Sequence, residues 1–254
     1  AGADGWIYGA LARITGGYGG VAMRDTDGDG GADDVKYFAP GMQGTGIGID
    51  GGYLYYGADT QIVRWPLSAG PVPEGVGEVV ISGFPEQRAH AAKSLAFDGA
   101  GHMYVNVGVP SNNCMAETRT KGSPGQRPCP ELAEHGGVYE VSLETMGQSF
   151  ADAVRYSTGH RNAVALSFNP ADKSVYLVQH GRDQLGQFFP DLYDAQANAE
   201  LPAEEFHKVE RGDNLGWPYS YFDHRVGERM VSPEFGGDGK TVSSEGKKPL
   251  IGFP

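Results

Sequence analysis

One phrase recurs along this chain: an alternating apolar run, a Gly- or Asp-bearing turn, a second apolar run, then a glycine. It reads GIGIDGGYLYYG at Gly46–Gly57, KSLAFDGAGHMYVNVG at Lys93–Gly108 and AVALSFNPADKSVYLVQHG at Ala163–Gly181. A shorter copy, ADGWIYGAL, lies at Ala3–Leu11 and reads as the second half of a unit. Alternation with period two puts successive side chains on opposite faces of a strand, so each phrase predicts a β-hairpin with one apolar face. No hairpin buries that face alone, and a repeated one must stack against neighbouring sheets. Outer strands follow, QIVRWPL at Gln61–Leu67 and GGVYEVSL at Gly136–Leu143. The pattern predicts an all-β protein, a β-propeller with one phrase in each visible blade, as a single domain over residues 1–254. A β-sandwich is the competing arrangement, but its strands would not repeat a whole phrase that closes on the same glycine. At about 45 residues or more per blade, the chain supplies four to five blades. The final segment, KKPLIGFP, is expected to stop without a closing strand. A propeller must close its ring, so the chain reads as a large fragment of a longer one.

Composition agrees with this class and narrows the partners. With 40 Gly and 16 Pro the chain is dense in turns, and long helical patterns are scarce. The net charge of −12 makes nucleic acid and anionic membrane surfaces poor partners. No apolar run approaches the roughly 18 residues of a membrane span. The chain starts at Ala1 without a signal peptide, as a processed or trimmed protein would, and its acidic surface suits a periplasmic or secreted protein, or a basic protein electron acceptor. Nothing in the sequence speaks to oligomeric state.

Cys114 and Cys129 are the only cysteines, in a loop rich in Asn, Gly and Pro. In an oxidising compartment they would close residues 110–135 as a disulfide-bonded insertion, expected to lie away from the functional site. Two free thiols are the alternative; a metal site would want more ligands at closer spacing. The turn DTDGDGGADD at Asp25–Asp34 places Asp25, Asp27 and Asp29 at alternate positions on a glycine-bent loop, which suits a hard cation such as Ca²⁺. It equally suits a solvated acidic turn between two strands, and both readings stay open.

The most informative stretch is Thr158–Arg182. Arg161-Asn162 opens one strand of its phrase and Gln179-His180-Gly181-Arg182 closes the other, so both groups fall at one end of a small sheet. A guanidinium, a side-chain amide and a bare backbone carbonyl there suit a flat, oxygen-rich anionic ligand, with a metal. His90 lies five residues before Leu95, at the start of another inner strand. The loop DNLGWPYSYFD at Asp213–Asp223 adds Trp217, Tyr219 and Tyr221, which would pack or line a mouth.

In their order these motifs resemble the soluble quinoprotein sugar dehydrogenases, the glucose/sorbosone dehydrogenase family. The HGRD form at His180–Asp183 looks like the sorbosone-dehydrogenase branch. The resemblance implies the six-bladed propeller of quinoprotein glucose dehydrogenase, with pyrroloquinoline quinone (PQQ) and Ca²⁺ as cofactors. It implies that Gln43, Arg161 and Asn162 hold the quinone, and that the carbonyls of Gly181 and Arg182 ligate its Ca²⁺. His180 would contact cofactor or substrate, or stand behind them. It further implies that neutral His90 takes the proton of a sugar hydroxyl or aldehyde hydrate while hydride passes to the quinone. Many members carry a DxDGDG turn like that at Asp25–Asp29. Electrons would leave to an acceptor such as a cytochrome. The sequence departs from the glucose oxidisers beside the base, where Ala89 replaces their Asp, and lacks the Lys/Arg contacts that later blades supply. Two other functions remain open: a calcium-dependent sugar lactonase, and a non-enzymatic propeller that binds protein or glycan. The lactonase would need carboxylates and Asn at the inner strand ends, where this chain has His, Gln and Arg.

Overall fold

The structure is a computed structural model that describes Gly2 and residues 5–254. Ala3 and Asp4, the start of the shortest copy, lie outside the described residues. The chain divides into two compact units. Ala1–Glu86, Ala91–Val105 and Val141–Ala153 form the first; Gln87–His90, Asn106–Glu140 and Val154–Pro254 form the second.

In the first unit, strands Ile7–Thr15, Tyr18–Arg24 and Asp34–Pro40 form an antiparallel meander, with the acidic Asp25–Asp34 turn between the last two. The Gly46–Gly57 phrase becomes the hairpin Gly44–Asp50/Tyr53–Ala58, extended by Gln61–Pro66 and Glu78–Ser82. Its inward residues Leu54, Tyr56, Val63 and Trp65 meet Phe38, whose ring stands edge-on to both Tyr56 and Trp65. That arrangement aligns the positive ring edge with the negative face of its neighbour.

The second phrase becomes the hairpin Leu95–Phe97/His102–Val107, and Gly137–Ser142 pairs antiparallel with Val154–Thr158. In the second unit the third phrase becomes Ala163–Asn169/Ser174–Gln179, and Glu204–Val209 pairs with its outer side. Between them run the short helices Leu185–Phe188 and Ala195–Glu200, the latter capped by Asp194, whose side chain accepts from the Ala197 amide at 2.8 Å. A separate hairpin, Ser220–Asp223/Glu228–Val231, brings Tyr221 and Met230 onto Leu185, Tyr193 and Leu201.

The KKPLIGFP segment contributes a strand, Ile251–Phe253, which pairs antiparallel with Glu204–Val209 as the fourth strand of that sheet. A three-residue strand carries too little alternation to be read from sequence.

The glycine that closes each phrase has a common cause. A methyl group at Gly57 would lie 2.8 Å from the Lys93 carbonyl oxygen, at Gly108 2.7 Å from His90 Cβ, and at Gly181 2.9 Å from a Pro202 ring carbon. Each strand end is approached too closely for a side chain. Among the described residues no helix is long and apolar enough to cross a membrane.

Candidate active site

The site grows from the end of the third hairpin. Ala163 pairs with Gln179, and two bonds continue the junction beyond the sheet. The Arg161 amide donates to Gln179 Oε1 at 3.0 Å, and the His180 amide to the Asn162 carbonyl at 3.1 Å. Arg161, Asn162 and Gln179–Gly181 therefore come together, as their spacing predicts. Arg161 is 3% exposed, and a guanidinium so buried requires partners. Its Nε donates to the Asn112 carbonyl at 3.2 Å, and Nη2 donates to Asn112 Oδ1 at 3.1 Å and to Asp183 Oδ2 at 2.9 Å. Nη1 carries no hydrogen bond among the described residues. One nitrogen, rather than the whole fork, remains to address a ligand.

His90 stands at the same place. The turn Gly108-Val109 joins them: the Val109 amide donates to the Arg161 carbonyl at 3.0 Å, and the Val109 carbonyl contacts His90 Nδ1 at 2.6 Å. A carbonyl only accepts, so Nδ1 carries the proton and Nε2 of the neutral ring keeps its lone pair. Burial, and then the charge of Arg161, hold the His90 pKa below the usual value; the Val109 bond and Asp183 oppose them in part. His90 also has φ +57°, the left-handed region that non-glycine residues adopt at a cost. Gln87 Nε2 contacts the His90 and Gly108 carbonyls at 3.0 Å each and holds that turn.

Arg161, Gln179, His180, Gly181 and Arg182 line a cavity of about 20 Å³, the room of one water, with Trp217, Tyr221 and Arg229. Glu205 also lines it, and accepts from Gln179 Nε2 at 3.1 Å and Arg229 Nη1 at 2.9 Å, with His207 Nε2 2.7 Å away. Burial would raise the Glu205 pKa, but the charge of Arg229 and the bond to His207 overcome it and keep it below the ordinary glutamate value. Arg182 and Glu234 form a second buried ion pair, and Asn113 Nδ2 donates to the other Glu234 oxygen at 2.9 Å.

Gly181 and Arg182 offer what a hard cation needs: among the described residues neither backbone carbonyl accepts a hydrogen bond. Together with Arg161 Nη1 and the Asn162 amide, they are the donor types that an oxygen-rich anionic cofactor with Ca²⁺ calls for. His180 lines the same cavity, half-exposed, with Nδ1 2.8 Å from Glu204 Oε2. Gln43 belongs to the first unit, where its amide donates to the Ala12 carbonyl at 3.2 Å. Asp25, Asp27 and Asp29, also in the first unit, bring carboxylate oxygens within 4.8 Å of one another, all exposed. Loop amides already hold them: Asp25 alone accepts from Asp27, Gly28 and Gly30, which lowers its pKa.

The loop closed by the cysteines departs from expectation. Cys114 and Cys129 are bonded, as expected, but not remote from the site. They pack on Val109 and Trp217, and Trp217 both lines the cavity and donates from Nε1 to the Asn112 carbonyl at 3.1 Å. The bonded cysteines, Val109 and Trp217 form one small apolar cluster, with Leu132 and Tyr219 packed against it. Sequence reasoning also missed Asn112, Val109 and Glu205. The one available signal was the Asn-Asn pair directly before a bonded cysteine.

The sequence model of the Glucose / Sorbosone dehydrogenase family matches residues 54–239. The chain belongs to that family. Its members are sugar dehydrogenases, oxidoreductases, and the match takes in His90, Arg161, Asn162 and Gly181. No curated protein matches the chain. Among solved structures, a Trichoderma reesei carbohydrate-active enzyme of family AA12 is similar over 99% of this chain and 71% of its own, at 15% identity and TM-score 0.69. The holo PQQ domain of Coprinopsis cinerea pyranose dehydrogenase matches 94% of this chain and 61% of its own, at 14% identity and TM-score 0.70. The apo soluble aldose sugar dehydrogenase of Escherichia coli matches 97% and 72%, at 16% identity and TM-score 0.53. At these identities the likeness establishes the fold, the all-β type of the PQQ glucose dehydrogenase propellers.

Proposed function

We propose that this chain is the larger part of a single-propeller, PQQ-dependent dehydrogenase that oxidises a sugar or a sugar-derived aldehyde. The observation that carries the reading is the His90 ring, held by the Val109 carbonyl with Nε2 as its lone-pair nitrogen, beside a buried Arg161. When bound, the quinone would supply the hydride acceptor and Ca²⁺ a Lewis acid. Arg161 Nη1 binds a cofactor carboxylate, Asn162 presents its side-chain amide, and the Gly181 and Arg182 carbonyls take the cation. His180 lies at the rim, within reach of cofactor or substrate. Gln43, and Asp25, Asp27 and Asp29 as a second Ca²⁺ loop, complete the assignment carried over from the family.

The chemistry asked of the protein is a proton transfer. The substrate hydroxyl loses its proton to His90 Nε2 as its C–H hydrogen leaves with the bonding electrons, and a carbonyl forms. The Val109 carbonyl keeps the imidazole in the accepting tautomer before transfer and stabilises the imidazolium after it. Family membership, an acidic chain and a disulfide suit a periplasmic or secreted enzyme that delivers electrons to an acceptor such as a cytochrome.

The test is reconstitution with PQQ and Ca²⁺, followed by the quinone absorbance and by dye reduction on a panel of aldoses and sorbosone. Quinone-dependent reduction by one of them is expected. Quinone uptake without oxidation of any sugar would reject the substrate class, and no uptake would reject the cofactor.

A further inference from the structure

Asn112 belongs to no motif that points to the site, yet it is tied to the site on every polar atom of its side chain. Its carbonyl accepts from Arg161 Nε and from Trp217 Nε1. Its Oδ1 accepts from Arg161 Nη2 and, at 2.9 Å, from the Asp183 amide, while its Nδ2 donates to the Asp183 carbonyl at 2.9 Å. We propose that Asn112 is a positioning residue for the Arg161 guanidinium, deciding which nitrogen faces a ligand, and that the Cys114–Cys129 disulfide holds it there. The proposal rests on the reading of Arg161 as a cofactor-binding group.

Arg161 has four side-chain torsions, and a buried cation moves to whichever acceptors it finds. The carbonyl and Oδ1 of Asn112 take two hydrogens along one edge of the fork, in a bidentate grip. Asp183 takes the second Nη2 hydrogen, and the backbone of Asp183 is itself gripped on both sides by the Asn112 amide. With Nε and Nη2 both occupied, Nη1 is the nitrogen left without a hydrogen bond among the described residues. Asn112 is 1% exposed, so no water replaces these bonds without opening the turn.

The disulfide anchors the turn two residues further on. The Cys114 amide donates to Ser111 Oγ at 2.9 Å, which closes the turn around Asn112. The bonded sulfurs sit on Val109 and Trp217, the residues that hold His90 and the Asn112 carbonyl. The bridge thus ties the insertion to both halves of the site.

The experiment compares wild type, Asn112→Ala, Asn112→Asp and the double variant Cys114→Ala/Cys129→Ala by two readouts. The first is modification of Arg161 by phenylglyoxal in the quinone-free protein, mapped by mass spectrometry. The second is quinone affinity, from absorbance titration with Ca²⁺. Loss of charge-assisted bonds of this kind corresponds to about a tenfold effect. Asn112→Ala should raise the Arg161 modification rate and lower quinone affinity by about that factor. Asn112→Asp retains the Oδ1 acceptor for Arg161 Nη2, though not the donor to Asp183, and should keep the Arg161 modification rate nearer to wild type than Asn112→Ala does, which a merely structural role would not produce. The double cysteine variant should move both readouts in the direction of Asn112→Ala. An Arg161 modification rate unchanged in Asn112→Ala overturns the proposal. Should that variant fail to fold, an unchanged rate in the double cysteine variant overturns it instead. A wild type that binds no quinone removes the cofactor reading, and the modification rates still decide the role of Asn112.

Discussion

The ring of His90 donates from Nδ1 to the backbone carbonyl of Val109, 2.6 Å away. Ala89 precedes His90 where the resemblance to the glucose oxidisers would put an Asp, and here a peptide carbonyl orients the ring. A carbonyl fixes the tautomer as a carboxylate would but adds no full charge, so the pKa of His90 falls under burial and Arg161.

That relationship predicts the pH profile. Activity of the quinone-loaded enzyme should rise with pH as His90 loses its proton, with the acid inflection in kcat/KM below the ordinary histidine value of about 6.5. His90→Ala and His90→Gln should keep quinone affinity and lose about 10²- to 10⁴-fold in kcat. Near-normal turnover in either variant would assign the base to another group.

Gly108 offers a test of placement without removing the base. A methyl group there would lie 2.7 Å from both Cβ and the carbonyl oxygen of His90, and 2.9 Å from Asn162 Oδ1. Gly108→Ala must push His90 and Asn162 apart, so kcat should fall at least about tenfold, as displacement of a catalytic group by a fraction of an ångström does. Circular dichroism should show the strands intact; wild-type kcat would place the reacting atoms elsewhere.

Arg161→Ala should weaken quinone binding more than it slows turnover of bound quinone, because the charge acts on ground and transition states alike. With Nη1 as the ligand-facing nitrogen, the loss should be about tenfold or more in affinity. An unchanged dissociation constant would remove Arg161 from the site.

Stability should fall on mild acidification. His160 is fully buried, its Nε2 is 2.8 Å from Ser157 Oγ, and burial pushes its pKa down to about 3. The unfolded chain therefore binds a proton at His160 below about pH 6.5 that the folded chain refuses. Its contribution is whole above that pH and declines by about 1.4 kcal/mol per unit as pH falls from 6.5 toward 3. Denaturant titrations between pH 7 and 5 should show this slope, and His160→Gln should flatten it. Equal slopes in both proteins would mean that His160 is accessible to protons in the folded state.

Hairpins, their turns and the junction of Arg161 with Gln179 were legible in the chain, because alternation, turn residues and strand ends are local properties written in consecutive residues. The two cysteines, alone in a turn-rich loop, likewise announced their bond. Tertiary structure decided the rest. Asn112 reaches Arg161 across 49 positions, Asp183 across 71 and Trp217 across 105. None of these separations follows a period, and an asparagine in a loop looks the same whether solvated or buried. The single free nitrogen of Arg161 and the tautomer of His90 depend on which acceptors burial brings within 3.2 Å, and only the folded chain brings them there.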